Sequence, residues 1–116
     1  TDIERGGAFA SIVGTMELIE KKYVELVQGF IINKFRGDIE ILKPGYRKLQ
    51  QKTGLPVFGT IPMTNFEIPD EDSIGNSPKT LNWNASNLKK LDKEINKISK
   101  VVKSSLNIRK VEKLLK

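Results

Sequence analysis

Neither cysteine nor histidine occurs anywhere in the 116 residues. The first absence excludes disulfides and thiol nucleophiles, and it accords with a reducing compartment. The second removes the usual zinc sites and, with the first, the Ser–His and Cys–His catalytic pairs. Long apolar runs are also missing: none approaches the roughly 18 unbroken apolar residues of a membrane span, and no membrane partner is expected. The first residues lack the basic start and apolar block of a secretory signal, so the expected location is the cytoplasm. No G-x-x-x-x-G-K-[ST] stretch is present, so the usual loop that cradles a triphosphate is absent.

What remains is an ordinary globular composition, 38% hydrophobic with nine glycines, in a chain of one domain at most. The net charge of +6 is unevenly spread. Residues 1–84 hold 10 Lys and Arg against 11 Asp and Glu, whereas residues 85–116 hold 10 against 3. A basic tail attracts phosphates and acidic surfaces. This one, however, has a single arginine, Arg109, and no aromatic to stack on a base. Its lysines are expected on the solvated face of a helix, and nucleic acid is not an expected partner.

Apolar spacing predicts a helix over 9–20, closed by Lys21 and Lys22 against its dipole. Phe30-Ile31-Ile32 reads as a short strand covered on both faces. Asp38 is placed to cap a second helix over about 39–52, with Pro44 early in it or delaying its start, and Gly54 stopping it. Residues 56–62 read as a second strand with proline at its borders, and 63–85 as a long surface loop. From 86 onward Leu88, Leu91, Ile95, Ile98 and Val102 are spaced 3, 4, 3, 4, the seam of an amphipathic helix expected to lie on the domain's own sheet. Asn107 is placed to cap a last short helix.

The expected fold class is therefore α/β: a partial parallel sheet of two recognisable strands with flanking helices, plus a C-terminal amphipathic helical segment. Two strands leave unpaired edges, so the sequence reads as half a sheet. Either another chain completes it or this is a piece of a longer protein. Self-association through the sheet edges or the 88–102 helix is the expected contact.

The blocks DIERGGAFASIVGT, VQGFIINKFRGDIEILKPG, LQQKTGLPVFGTIP and IPDEDSI, in that order, resemble the cobyric acid synthase family. That family belongs to the dethiobiotin-synthetase-like P-loop amidoligases. The resemblance covers roughly residues 2–74 and departs from the family at Glu4, where Asp is usual. It implies the C-terminal half of a synthetase domain over 1–74, then a loop over 75–85 and a basic helical tail over 86–116. It also implies ATP and Mg²⁺ as cofactors and a corrinoid substrate. Peripheral carboxylates of a cobyrinic acid diamide are activated by phosphoryl transfer and amidated with ammonia from glutamine. The N-terminal half with its P-loop and the glutaminase domain with its Cys and His are not in this chain, which is expected to be inactive alone. A non-catalytic oligomerisation or subunit-interaction module derived from the same fold is the alternative.

Chemistry assigns roles within those blocks. Asp2 is the candidate to hold Mg²⁺ or a water on it. Arg5 can steady a phosphoryl or carboxylate group through its planar fork of donors, and is grouped with Asp2 as catalytic. Gly6 and Gly7 would let a backbone approach a phosphate or substrate with open N–H groups; a plain loop before a helix is the competing reading. Asn33, at the end of the first strand, carries a donor and an acceptor that suit a purine edge, or it caps the following turn. Lys34 and Pro62 are grouped with it at the nucleotide, Pro62 packing on the base. Asp70, Glu71 and Asp72 are expected to be solvated rather than catalytic.

Overall fold

The computed structural model describes residues 1–67 and 85–115 of the chain. Helix α1 spans Ala8–Leu18 and starts at Gly7, whose φ of 78° puts the N-cap in the left-handed region. It buries Ala8 and Ile12. Ile19 and Glu20 are extended, so Lys21 and Lys22 do not close this helix as expected. They begin a separate short helix, α2, over Lys21–Val24. Leaving the helix at the β-branched Ile19 keeps that side chain half-buried, whereas Leu18 is exposed.

Strand β1 covers Phe30–Phe35 and outlasts its apolar run. It continues past that run because the backbone groups on either side of Lys34 find partners: Asn33 exchanges bonds with Thr1 and Ile3, and the Phe35 carbonyl accepts from Met63 N–H at 2.8 Å. Asp38 does act as a helix cap, its Oδ1 accepting from Glu40 N–H at 2.9 Å. The first turn after it, Ile39–Leu42, is 3₁₀, and the α-helix proper (α3) runs only over Lys43–Thr53. Pro44 explains the delay, since it sits in the first turn of α3, where a missing N–H costs nothing. Gly54, at φ 73°, ends α3 as its position suggested.

Strand β2, Val57–Pro62, lies parallel to β1, with Phe30 opposite Val57 and Ile32 opposite Thr60. α3 supplies the crossover that parallel pairing needs. One face of this pair is dry. Ile12, Ile32, Leu42 and Leu49 form its buried centre, with Phe9, Val13, Met16 and Tyr46 packed around them. Tyr46 and Thr60 pair their hydroxyls across that layer. Ile32 is fully buried and Ile31 only half-buried, so β1 is sealed on one face rather than on both.

The edges of the pair are not bare. Asp2 makes a parallel bridge to Asn33 on the outer side of β1, and Leu106 makes an antiparallel bridge to Gly59 on β2. The second contact is sterically conditional, because a Cβ at Gly59 would run into the Ser105 carbonyl and Leu106. Asn107 N–H also donates to the Phe58 carbonyl at 2.8 Å. Thus helix α4, Ala85–Ser105, lies against β2 as expected, and Asn107 caps helix α5, Ile108–Glu112, by accepting from Lys110 N–H at 3.1 Å. Along the α4 seam Leu91, Ile98 and Val102 are half-buried while Leu88 and Ile95 stay exposed. No helix among the described residues is long and apolar enough to cross a membrane.

Candidate functional site

Open parallel sheets present ligands to the carboxyl ends of their strands, where the loops diverge. Here that rim gathers the segment 1–7 against the end of β1. The Thr1 carbonyl accepts from Asn33 N–H at 2.7 Å and Ile3 N–H donates to the Asn33 carbonyl at 3.0 Å, so Asp2 faces Asn33. At the next residue, Lys34, the backbone turns left-handed, with φ 61°. For a residue with a Cβ this conformation costs roughly 1–2 kcal/mol. It coincides with a register shift between Ile32 and Phe35 and aims the lysine back across the rim.

The Lys34 Nζ meets Asp2 Oδ2 at 2.8 Å, while Glu4 N–H donates to Asp2 Oδ1 at 3.0 Å. Both carboxylate oxygens are therefore engaged. The Lys34 ammonium, then the Glu4 N–H, hold the Asp2 carboxyl below its ordinary range, with the charges of Lys34 and Arg5 adding and partial burial opposing. A second pair repeats the pattern: Arg36 Nε lies 2.7 Å from Glu4 Oε1. Acids at 2 and 4 and bases at 34 and 36 thus form a two-rung ladder tying one loop to the other.

Arg5 makes no ion pair among the described residues. It is exposed and lines a cavity of about 340 Å³ with Thr1, Asp2, Ala8 and Ser11. The N-terminus of α1 opens beside it with no acid in its first turn and no side-chain cap, leaving donors at the positive end of the helix. A Cβ on Gly6 or Gly7 would meet no neighbour. Packing does not require glycine at either position; at Gly7 the backbone conformation does.

Asn33 is not the last residue of its strand, because the partners of Phe35 carry β1 further. Its Oδ1 accepts from Lys34 N–H at 2.9 Å, which is the turn-capping role, and the side chain remains exposed. Pro62 ends β2 at the same rim but pairs in register with Phe35, two residues beyond Asn33. Asp70, Glu71 and Asp72, like the 75–84 stretch, lie outside the described residues. Among the described residues no cluster of three or more acids could hold a metal ion. The ion ladder and the left-handed Lys34 were missed by sequence reasoning. The alternation Asp2-x-Glu4 against Lys34-x-Arg36 was the available signal, since spacing of two on both segments is strand register.

Comparison with known proteins gives this rim a context. The chain is 54% identical over 78 residues to a probable cobyric acid synthase of Thermococcus kodakarensis, covering 67% of this chain and 16% of that protein. It is 58% identical over 73 residues to a probable cobyric acid synthase of Methanosarcina barkeri, covering 63% and 15%. It is 54% identical over 74 residues to a cobyric acid synthase of Desulfitobacterium hafniense, covering 63% and 14%. The chain is similar to cobyric acid synthases. It spans only 14–16% of the length of these relatives. No family model and no solved structure matches it.

Proposed function

We propose that this chain is a segment of the ATP-using part of a cobyric acid synthase, a P-loop-type amidoligase of cobalamin biosynthesis, and that its rim is one wall of the site. The observation that carries the reading is the meeting of Asp2, Arg5, Asn33 and Lys34 at the carboxyl end of a parallel sheet, in a chain similar to proteins of that name. In this reading peripheral carboxylates of a cobyrinic acid diamide receive a phosphoryl group from ATP, and ammonia from glutamine displaces phosphate. The P-loop and the glutaminase Cys and His belong to parts outside this chain, which is inactive by itself.

Each residue has a physical task. Arg5, free of acids among the described residues, holds the substrate carboxylate or the transferred phosphoryl group together with the open N–H groups at the start of α1. Asn33 spends one lone pair of Oδ1 on Lys34 N–H, which fixes the amide; its Nδ2 and remaining lone pair face an adenine edge. Pro62 flanks the base. Magnesium, when bound, neutralises phosphate charge, and the residue that would hold it is Asp2. The fit is conditional, because Lys34 already occupies Oδ2. A phosphate drawing the lysine away would free that oxygen, which gives Lys34 a part in the nucleotide site.

A chimera tests this reading. The corresponding segment of the Thermococcus kodakarensis relative is replaced by this chain, and glutamine- and ATP-dependent amidation is measured. Activity in the chimera, lost by about 10²-fold or more on Arg5→Ala, is the expected result. A folded chimera without activity, or one indifferent to Arg5, would overturn it.

Exposure of Leu88 and Ile95 on α4 supports the alternative of an interaction module. A stable dilute monomer in sedimentation would remove self-association along that seam.

A further inference from the structure

Past Pro62 the chain leaves β2 at the carboxyl rim, but it does not leave freely. Met63 N–H still reaches the Phe35 carbonyl, whereas Asn65, Phe66 and Glu67 pair with no strand among the described residues. Each of the three meets α4 instead. Lys97 Nζ donates to the Asn65 carbonyl at 2.9 Å and stands 5.5 Å from the centre of the Phe66 ring. Glu94 Oε2 accepts from Glu67 N–H at 3.2 Å. Glu94 and Lys97 lie three apart on one face of α4, where their own charged groups come within 3.7 Å. The Glu94 side chain is 17% exposed, the least of any ion-paired acid among the described residues. An acid is drawn in that far only where donors meet it, and here the Glu67 N–H and the Lys97 ammonium do so. The side from which α4 arrives gives this grip a direction. Gly59 pairs with Ile31 of β1 on one edge and with Leu106 on the other, so α4 meets β2 on the side away from β1.

We propose that Glu94 and Lys97 are positioning residues for the nucleotide side of the rim. Without touching the ligand, they clamp Asn65–Glu67 to α4 and keep the exit of β2 from swinging across Asn33 and Pro62. Both partners of every contact in the clamp belong to this chain, so no other polypeptide is needed to form it. What the rim holds rests on the synthase reading; the clamp itself does not.

Amide exchange on the full chain, followed by NMR, separates a clamp from a helix that merely covers the sheet. In Glu94→Ala the Glu67 amide is expected to exchange about tenfold faster. Glu94→Gln keeps an oxygen facing that N–H and is expected to restore most of the protection. The Asn107 amide, held by the Phe58 carbonyl just beyond α4, reports whether the helix itself has come away, and its exchange is expected to stay unchanged. Unchanged Glu67 exchange in Glu94→Ala, or equal acceleration at Glu67 and Asn107, would overturn the clamp. In the chimera with the Thermococcus kodakarensis relative, Glu94→Ala is expected to raise the KM for ATP about threefold or more, with kcat held within about twofold. A KM that does not move, or a loss confined to kcat, would overturn the positioning role. A folded chimera without ATP-dependent amidation fails the synthase reading instead, and the exchange result still decides the clamp.

Discussion

Two regions of the same pair of strands are built on opposite principles. Beneath α1 and α3 the sheet is dry, centred on Ile32 and Leu49, and the hydroxyls of Tyr46 and Thr60 pair with each other there. At the carboxyl rim, two and four residues beyond Ile32, Lys34 and Arg36 are charged, exposed and paired with acids of the first segment. The difference teaches where stability and chemistry are separable. Burial of an Ile or Leu side chain is worth about 1.5–3 kcal/mol, whereas an exposed ion pair contributes ~0–1 kcal/mol. The dry face thus sets the fold, and the rim is free to change its charges.

Substitutions should split along that line. The largest effect is expected on the dry face: Leu49→Ala or Ile32→Ala costs about 2–5 kcal/mol, read from urea midpoints, with no selective effect at the rim. Next comes the seam between sheet and arm. Gly59→Ala drives a methyl into the Ser105 carbonyl and Leu106, costing roughly 1–3 kcal/mol and detaching α4 and α5 from the β2 edge. Loss of exchange protection at Asn107 N–H would report that detachment directly.

Smaller effects sharpen the rim side. Lys34→Met removes the partner that depresses the Asp2 carboxyl, so its pKa, followed by NMR, is expected to rise toward the ordinary value of about 3.9. The sign follows from a depressed folded-state pKa. The stabilisation from ionised Asp2 is present above the unfolded value and is lost as pH falls through the lower folded value. Wild type should therefore lose a small increment of stability below about pH 4 that Lys34→Met lacks. Smallest of all, Arg5→Ala should leave stability within ~0.5 kcal/mol, since Arg5 makes no ion pair among the described residues. A large destabilisation there would blur the two regions.

The parts of this arrangement written in local chemistry were legible in advance. The run Phe30-Ile31-Ile32, the stop at Gly54 and the cap at Asn107 each depend on residues within a few positions. The parallel pairing followed from the helix between the strands. What was not legible depends on distant partners. Nothing near Lys34 announces a left-handed backbone; Asp2, 32 residues away, anchors its side chain there. Gly59 read as part of a strand, and its role came from Leu106 arriving at its edge. Asp2, Arg5 and Asn33 were found as candidates, but the charge ladder that organises them was not.

The central claim is that the carboxyl rim is the ligand-binding wall and the lysine-rich α4 is not. An amide chemical-shift titration of the full chain with Mg·ATP into the millimolar range tests it most directly. Shifts confined to Asp2–Ala8 and Asn33–Lys34, abolished by Arg5→Ala, are predicted. A silent rim, or shifts strongest along Lys89, Lys93, Lys97 and Lys100 of α4, would contradict it.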